Sequence, residues 1–312
     1  MKKLLSLMML AAVMTACSSD DEATPTPVKN YPLSISVKET PYVNPEGDVK
    51  AAISTTSTRN AFKIDYQYGT THGGVYQATK NGDKTWTTIG SWPGSAVEND
   101  ANVDWYAYTD GTFYQGDNAK PCITFTVDEN SSAQKDFLVA TTSDKWSSCN
   151  GNLSFTFDHA CAALKFFVKK AKNISDYKLA VSEVKLCNVV KEGDYYFDTA
   201  SWTLVNGTSS YTLYSGTNKT LGIDNYEALD ASDAPYLFLL PQTLTPWGGS
   251  GTPANTYLEL TCSINKDETV VYSGKAYIPF GATLEKGIMR NVNINIGKNS
   301  LYKNDGTKVI TE

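Results

Sequence analysis

Apolar and polar residues alternate with a period of two through most of the chain, and this pattern constrains the fold more than any other feature. Side chains two apart lie on one face of a strand, so the alternation predicts strands with one buried face. Helical periodicity is not sustained after the first sixteen residues. The clearest alternating sets are Leu33, Ile35, Val37; Ile123, Phe125, Val127; Leu153, Phe155, Phe157; Leu258, Leu260, Cys262, Ile264; and Val292, Ile294, Ile296.

The segments between these strands are rich in Gly, Asn, Asp and Ser, which are the residues of tight turns. Examples are Lys80-Asn81-Gly82-Asp83 and Asn304-Asp305-Gly306. The sequence therefore predicts an all-β fold of antiparallel β-sandwiches. The length of 312 residues favours two tandem domains. We place their boundary near the turn-rich loop Trp146–Gly151, which gives an N-terminal sandwich over residues 31–150 and a C-terminal sandwich over residues 151–312.

The predicted strand after this loop changes phase. Its apolar residues are odd-numbered up to Cys161 and even-numbered from Leu164 onward. An extra residue in a strand restores both sets to one face. We therefore expect a β-bulge near Ala162-Ala163.

The N-terminus has the form of an export signal. Lys2 and Lys3 precede an apolar run from Leu4 to Ala16, which is too short to span a bilayer as a helix of roughly 20 residues. Residues 1–16 are therefore predicted to be a signal peptide. The following Cys17 completes a motif that resembles a bacterial lipobox, in which the cysteine receives a diacylglycerol and a further fatty acyl chain such as palmitate. An ordinary signal-peptidase site is the alternative.

Residues 17–30 are predicted to be a lipidated, flexible linker. Their Ser, Asp, Thr and Pro residues cannot bury enough apolar surface to order the segment. The acidic run Ser18–Glu22 resembles the signal that directs Bacteroidetes lipoproteins to the outer face of the outer membrane. The expected location is thus the cell outer membrane, with the lipid on Cys17 as the membrane contact and no membrane helix in the mature chain.

Charge and motif content argue against several functions. A net charge of −6 and a pI near 5.1 disfavour a nucleic-acid partner. Without the lipidated one, five cysteines remain, with no CxxC pair, so neither a metal site nor a disulfide framework is expected. Cys161 and Cys262 lie on apolar strand faces and are predicted to be buried free thiols.

No catalytic motif is present, and we expect neither an enzyme nor a cofactor. The chain has two histidines, His72 and His159. A single histidine within a strand is typical of a hydrogen-bonded core residue, and we expect that role for His159.

Four phrases, taken in order, resemble the fimbrillin family of Bacteroidetes, also called type V pilins and Mfa-like proteins. They are Gln134-Lys135-Asp136-Phe137-Leu138-Val139-Ala140; Leu153 to Phe166, which reads LSFTFDHACAALKF; Tyr236-Leu237-Phe238-Leu239-Leu240-Pro241-Gln242; and Ile278-Pro279-Phe280 with Lys286-Gly287-Ile288-Met289-Arg290-Asn291-Val292.

The resemblance implies two tandem transthyretin-like sandwiches, exported as a lipoprotein and matured by an arginine-specific protease that removes the first strand. The Ser- and Thr-rich stretch Ile53–Phe62 matches the family's cleavage region, with Arg59 before the cut and Asn60 after it. An exposed loop charge is the alternative role of Arg59. Candidate removed strands are Tyr31–Val37 and Val49–Ser54.

The family assembles by donor-strand exchange into surface fimbriae that support adhesion, so other fimbrial subunits and a host or bacterial surface ligand are the implied partners. A neighbour's strand would fill the vacated edge. Candidate donor residues are Leu301, Val309 and Ile310, although Lys303–Gly306 interrupts them. A hairpin that completes the last domain is the alternative. A tip subunit would not need to donate, so stalk and tip both remain open.

Two further interpretations complete the sequence analysis. Asp198-Thr199-Ala200 resembles the three-residue O-glycosylation sequence of this phylum, with Thr199 as the acceptor. The alternative to a pilin is a surface lipoprotein that binds glycans and does not polymerise, suggested by aromatic residues in turn-rich stretches. These are Trp86, Trp92, Trp105 and Trp247.

Overall fold

Strands make up most of the protein, as the alternating sequence predicts. The computed structural model describes residues 29–45, 60–115, 120–205, 207–229, 236–251 and 253–311. The first nine strands, numbered in chain order, are β1 (Ser34–Glu39), β2 (Ala61–Tyr68), β3 (Thr71–Lys80), β4 (Trp86–Thr88), β5 (Val103–Tyr108), β6 (Thr112–Gln115), β7 (Pro121–Thr126), β8 (Leu138–Asp144) and β9 (Asn152–His159).

Twelve more strands follow within the described ranges. They are β10 (Ala162–Lys170), β11 (Tyr177–Val190), β12 (Glu192–Tyr196), β13 (Ser201–Leu204), β14 (Thr208–Thr220), β15 (Glu227–Ala228), β16 (Leu237–Leu239), β17 (Thr243–Leu244), β18 (Tyr257–Lys266), β19 (Thr269–Pro279), β20 (Ala282–Thr283) and β21 (Met289–Ile296). The helices are short: α1 (Gly94–Glu98), α2 (Trp146–Cys149) and a 3-10 turn at Lys172–Ile174. The prediction of an all-β fold is confirmed.

The first half of the chain builds a seven-stranded sheet in the order β1-β9-β8-β5-β2-β3-β4. Neighbouring strands are antiparallel except β1 and β9, which run parallel. Its apolar face forms a hydrophobic cluster, called here the first core, which includes Phe62, Trp105, Leu153, Phe155 and Phe157. The strand β1 lies at the edge of this sheet.

A second and larger cluster, the second core, lies among three four-stranded sheets. One joins β15, β10, β16 and β21, another has the order β14-β11-β18-β19, and the third has the order β13-β12-β7-β6. Ile123 and Phe125 of β7 pack here although they come from the first half of the chain. The residues Tyr31–Glu312 form one compact unit.

The expected β-bulge near Ala162-Ala163 is wrong. The strand ends at His159, and a new strand begins at Ala162 in a different sheet. Odd-numbered residues up to Phe157 fill the first core, and Leu164, Phe166 and Val168 fill the second. The phase changes because the chain passes from one core to the other, and both Ala160 and Cys161 between the strands are fully buried.

This crossing also bears on the predicted boundary at residue 150. The strand β9, which that boundary assigns to the C-terminal sandwich, pairs with β8 and β1 in the first sheet. The change of core falls between His159 and Ala160. The division into two transthyretin-like domains stays a prediction. Within the described ranges, no helix has the length and apolar character needed to cross a membrane.

Candidate functional site

The segment that precedes the predicted cut at Arg59 forms the candidate site. Residues 31–45 of its described part are called here the leader segment. It includes β1, which pairs in parallel with β9 from Ser34 opposite Asn152 to Glu39 opposite Phe157. Of the strands that the structure describes, β9 is the only partner of β1 in the sheet order. Removal of the leader segment would therefore expose one edge of β9.

Alternate residues from Leu33 to Val37, in β1 and just before it, hold the leader segment in the first core. Leu33 and Ile35 are buried, and the half-buried Val37 packs against the same cluster. Ser34 and Ser36, which point the other way, are exposed. The period-two pattern of this stretch thus places one apolar face inward and leaves a polar face toward solvent.

Beyond β1 the leader segment reaches the second core. Tyr42 is 6% exposed and belongs to that cluster. The amide of Val43 donates to the Gly287 carbonyl (2.9 Å), and the amide of Met289 donates back to the Val43 carbonyl (2.9 Å). The leader segment therefore contacts both cores, and its loss would open both.

A buried polar cluster joins the end of the leader segment to the rest of the protein. The hydroxyl of Tyr42 donates to Oδ1 of Asp136 (2.9 Å), and Nδ1 of His159 lies 2.5 Å from Oδ2 of the same carboxylate. Nε2 of His159 lies 3.5 Å from Oε1 of Glu39. Two members of the cluster belong to the leader segment and two do not.

The packing around these groups removes them from water. Asp136 is 1% exposed and His159 is 2% exposed. The ring of Tyr42 stacks on the imidazole, with 3.7 Å between ring centroids. Burial, followed by the charge of Asp136, raises the pKa of Tyr42 well above its ordinary value. Tyr42 therefore remains a hydrogen-bond donor to the carboxylate.

His159 is buried because of its position at the end of β9. It is the last residue of β9, on the same strand face as Phe155 and Phe157, where the chain leaves one core for the other. Its role as a hydrogen-bonded core residue is confirmed. Among the described residues, no group of three or more His, Cys, Asp or Glu side chains has an arrangement that could hold a metal ion.

The predicted processing sites are only partly within the described residues. Cys17, Arg59 and the segment Val49–Ser54 lie outside them. Asn60 is exposed and directly precedes β2, and its carbonyl accepts a hydrogen bond from the amide of Lys80 (2.8 Å). A cut before Asn60 would leave β2 intact.

The candidate glycosylation site lies in a surface turn between β12 and β13. Thr199 is exposed, and its hydroxyl lies 2.7 Å from that of Ser201. The preceding Asp198 forms an ion pair with Lys120 (2.6 Å), which contributes to the lowered pKa of that carboxyl. The acceptor hydroxyl is accessible in this conformation, and its modification stays a prediction.

The candidate donor residues are inside the protein. Leu301 is 0% exposed, Val309 is 9% exposed and Ile310 is 4% exposed, and all three belong to the second core. The amide of Val309 donates to the carbonyl of Leu301 (3.1 Å). The C-terminal stretch in this conformation completes its own core, as the alternative to a donor strand anticipates.

The tryptophans considered as sugar platforms are mostly buried. Trp92, Trp105 and Trp247 lie in hydrophobic surroundings with at most 4% exposure, and Trp86 is half-buried against Phe62. Cys161 and Cys262 are buried, and neither forms a disulfide with another described cysteine, as predicted.

The polar cluster has no signature in the sequence as a unit. Asp136 was present only within a family phrase, and neither Glu39 nor Tyr42 was singled out. The available signal was His159 itself, a polar residue at an apolar position of its strand. Its partners could not be identified, because Asp136 is 23 residues away and Tyr42 contacts Asp136 across 94 residues.

The geometry defines an all-β protein in which β1 lies at a sheet edge and the leader segment that contains it contacts both cores. The family comparison identifies the class: the model of the fimbrillin-like family matches residues 46–310, and the chain belongs to that family. The predicted resemblance is confirmed. No curated protein gives a significant match.

Two solved structures share the fold. A fimbrial protein from Bacteroides vulgatus superposes with a TM-score of 0.58 at 18% identity, covering 86% of this chain and 96% of that one. A candidate cell adhesion protein from Bacteroides ovatus gives a TM-score of 0.50 at 14% identity, covering 88% of this chain and 95% of that one. At such identities the likeness concerns the fold.

Proposed function

We propose that the protein is a structural subunit, stalk or tip, of a cell-surface fimbrium, and that it matures by loss of the leader segment. Family membership supports a fimbrial or adhesion role. The observation that carries the mechanism is the edge position of β1 within the leader segment, which precedes Arg59 and contacts both cores. The proposal assigns the chain no catalytic role.

In this mechanism an arginine-specific protease cuts between Arg59 and Asn60. The vacated surface, called here the groove, consists of the open edge of β9, the Gly287–Met289 stretch and the pair Asp136 and His159. An unpaired strand edge is a template for another strand. A strand from a neighbouring subunit fills the groove by strand addition.

Burial alone makes such a joint stable. The leader segment uses four principal anchors, Leu33, Ile35, Val37 and Tyr42. At about 1.5 to 3 kcal/mol per large apolar side chain, an incoming strand with equivalent anchors gains roughly 6 to 12 kcal/mol, which is an upper estimate. The filled groove would open slowly.

The precursor is held at the outer membrane by the lipid on Cys17 in this scheme. The lipid and the leader segment leave together when the chain is cut, so the anchor is a transport form and the final location is the fimbrium. Leu301, Val309 and Ile310 are better suited to completing their own core than to donation, since donation would require them to leave it. Acceptance of a strand is thus the better supported half of the mechanism.

The test is digestion of purified precursor with an arginine-specific protease. The sequence contains only two arginines, Arg59 and Arg290. Arg290 lies in β21 and is paired with Leu164 of β10, so we expect its backbone to be held in the sheet and to resist cleavage. We expect one cut, a new N-terminus at Asn60, and a shift from monomer to higher assemblies by size-exclusion chromatography.

The matched control is Arg59→Gln, which should stay uncut and monomeric under the same conditions. Resistance of the folded wild-type chain at Arg59 would contradict the proposed maturation. A clean cut and leader release with no gain in assembly, also in the presence of the other subunits of the fimbrium, would contradict strand exchange.

A further inference from the structure

We propose that the Asp136–His159 pair selects the strand that fills the groove, and that this strand comes from another subunit and carries an acidic residue followed three positions later by a tyrosine. The inference rests on the proposed function, because it concerns the occupant of the groove after the cut. Apolar anchors would accept many apolar strands, whereas Asp136 and His159 would distinguish among them.

The leader segment supplies two polar side chains to the Asp136–His159 pair. Its Tyr42 hydroxyl satisfies one oxygen of Asp136, and its Glu39 carboxylate faces Nε2 of His159 at 3.5 Å. Thr40 and Pro41 between them are exposed. Within Glu39–Tyr42, therefore, only the side chains of the first and last residues face Asp136 and His159. The recognised pattern is an acidic residue, any two residues and then a tyrosine.

A different strand in the groove would have to replace both of these polar side chains. Asp136 and His159 are 1% and 2% exposed under the leader segment. A strand with aliphatic residues in place of Glu39 and Tyr42 would cover both groups without replacing their partners. A buried polar group that loses its partner weakens binding by roughly tenfold to a hundredfold. The pair thus penalises strands that lack the two polar side chains.

The charge and the shape of the Asp136–His159 pair suit the same pattern of an acidic residue and a tyrosine. The imidazole of His159 lies between two carboxylates, with Nδ1 2.5 Å from Oδ2 of Asp136 and Nε2 3.5 Å from Oε1 of Glu39 on the strand. The phenol combines a ring that stacks at 3.7 Å on the imidazole with a hydroxyl that reaches Oδ1 of Asp136. Phenylalanine offers the ring without the donor, and serine offers the donor without the ring.

The C-terminal stretch of this chain does not fit the pattern in the direction of the leader segment. Tyr302 precedes Asp305 there, which is the opposite order, and Gly306 follows. Tyr302 is also held by paired backbone hydrogen bonds with Tyr277, at 3.0 and 2.8 Å. A second copy of this chain, donating its C-terminus, is therefore the occupant that the proposal disfavours.

The experiment uses the full precursor, cut after Arg59, and labelled synthetic peptides of residues 31–45 that exchange into the groove. Unlabelled peptides compete with the wild-type peptide, so the change is in the ligand and the folding of the protein is not affected. We expect Glu39→Gln and Tyr42→Phe peptides each to compete roughly tenfold to a hundredfold less well. The control peptide carries Lys38→Ala, at a position on the exposed face of β1, and should compete like wild type.

A second arm tests the coupling to the protein. With the Asp136→Asn precursor, the Tyr42→Phe penalty should shrink, since a neutral amide oxygen accepts the hydroxyl less strongly than a carboxylate does. A peptide of residues 298–312 should compete poorly with the wild-type protein. Equal competition by Tyr42→Phe and wild-type peptides, or strong competition by residues 298–312, would overturn the inference and leave the proposed function intact. Failure of the wild-type peptide to enter the groove after mass spectrometry shows that the cut leader fragment has left would overturn both.

Discussion

At the scale of single residues, the most consequential feature is one carboxylate with two partners. Asp136 accepts the Tyr42 hydroxyl and contacts the His159 imidazole, all within a region closed to water. A charged group at this depth is tolerated because both of its oxygens are satisfied. Its loss leaves two polar groups buried without their partner.

We therefore expect Asp136→Ala to lower the free energy of unfolding by about 3 to 5 kcal/mol. Asp158→Ala is the matched control, because that residue is adjacent to His159 but exposed, and surface changes usually stay within about 0.5 kcal/mol. Chemical denaturation followed by tryptophan fluorescence measures both. Equal stability of the two variants would show that the cluster contributes little to the fold.

A buried thiol gives the fold a dependence on alkaline pH. Burial raises the pKa of Cys262 to about 12 from an ordinary value of 9.0. The folded chain holds this proton more tightly than the unfolded chain does, so the contribution is complete below pH 9 and is lost as pH rises toward 12. We expect the difference in unfolding free energy between wild type and Cys262→Ala to fall over that range. A constant difference from pH 8 to 12 would contradict the assignment.

At the scale of elements, the strands could be predicted and the crossing between cores could not. Alternation identified β1, β7, β9, β18 and β21 because each buries one face. It could not distinguish a bulge from a crossing at His159–Ala162, since in both cases odd and even residues are buried. Likewise, no local pattern indicates that Tyr42 leaves the first core and enters the second.

The element β1 should leave slowly after the cut, and its release rate should depend on its buried face. Ile35→Ala removes most of a side chain that is 8% exposed, which costs about 2 to 5 kcal/mol in a core. We expect the cut leader fragment to dissociate at least tenfold faster in this variant. The precursor is expressed in full and then cut, and native mass spectrometry over time gives the rate at which the leader fragment dissociates.

Lys38→Ala is the control for this measurement, because its side chain is on the exposed face of the same strand. Release from that variant should match the wild type. If Ile35→Ala and Lys38→Ala release the leader fragment at the same rate, burial in the first core is not what retains β1.

At the scale of the whole molecule, the leader segment is the one described stretch before the predicted cut, and it packs in both cores. Residues from both halves of the chain build the second core. The sequence indicated the cut at Arg59 through a family resemblance, but only the three-dimensional arrangement relates that position to a groove. The central claim is that the groove opens on maturation and is refilled by a strand.

Amide hydrogen exchange of β9 tests this claim most directly. Its backbone is paired with β1 along Asn152–Phe157, and paired amides exchange slowly. We predict strong protection in the uncut precursor, a loss of protection in β9 but not in β5 after the cut and release of the leader segment, and recovery of protection upon assembly. Unchanged protection of β9 through cutting, release and assembly would contradict the account.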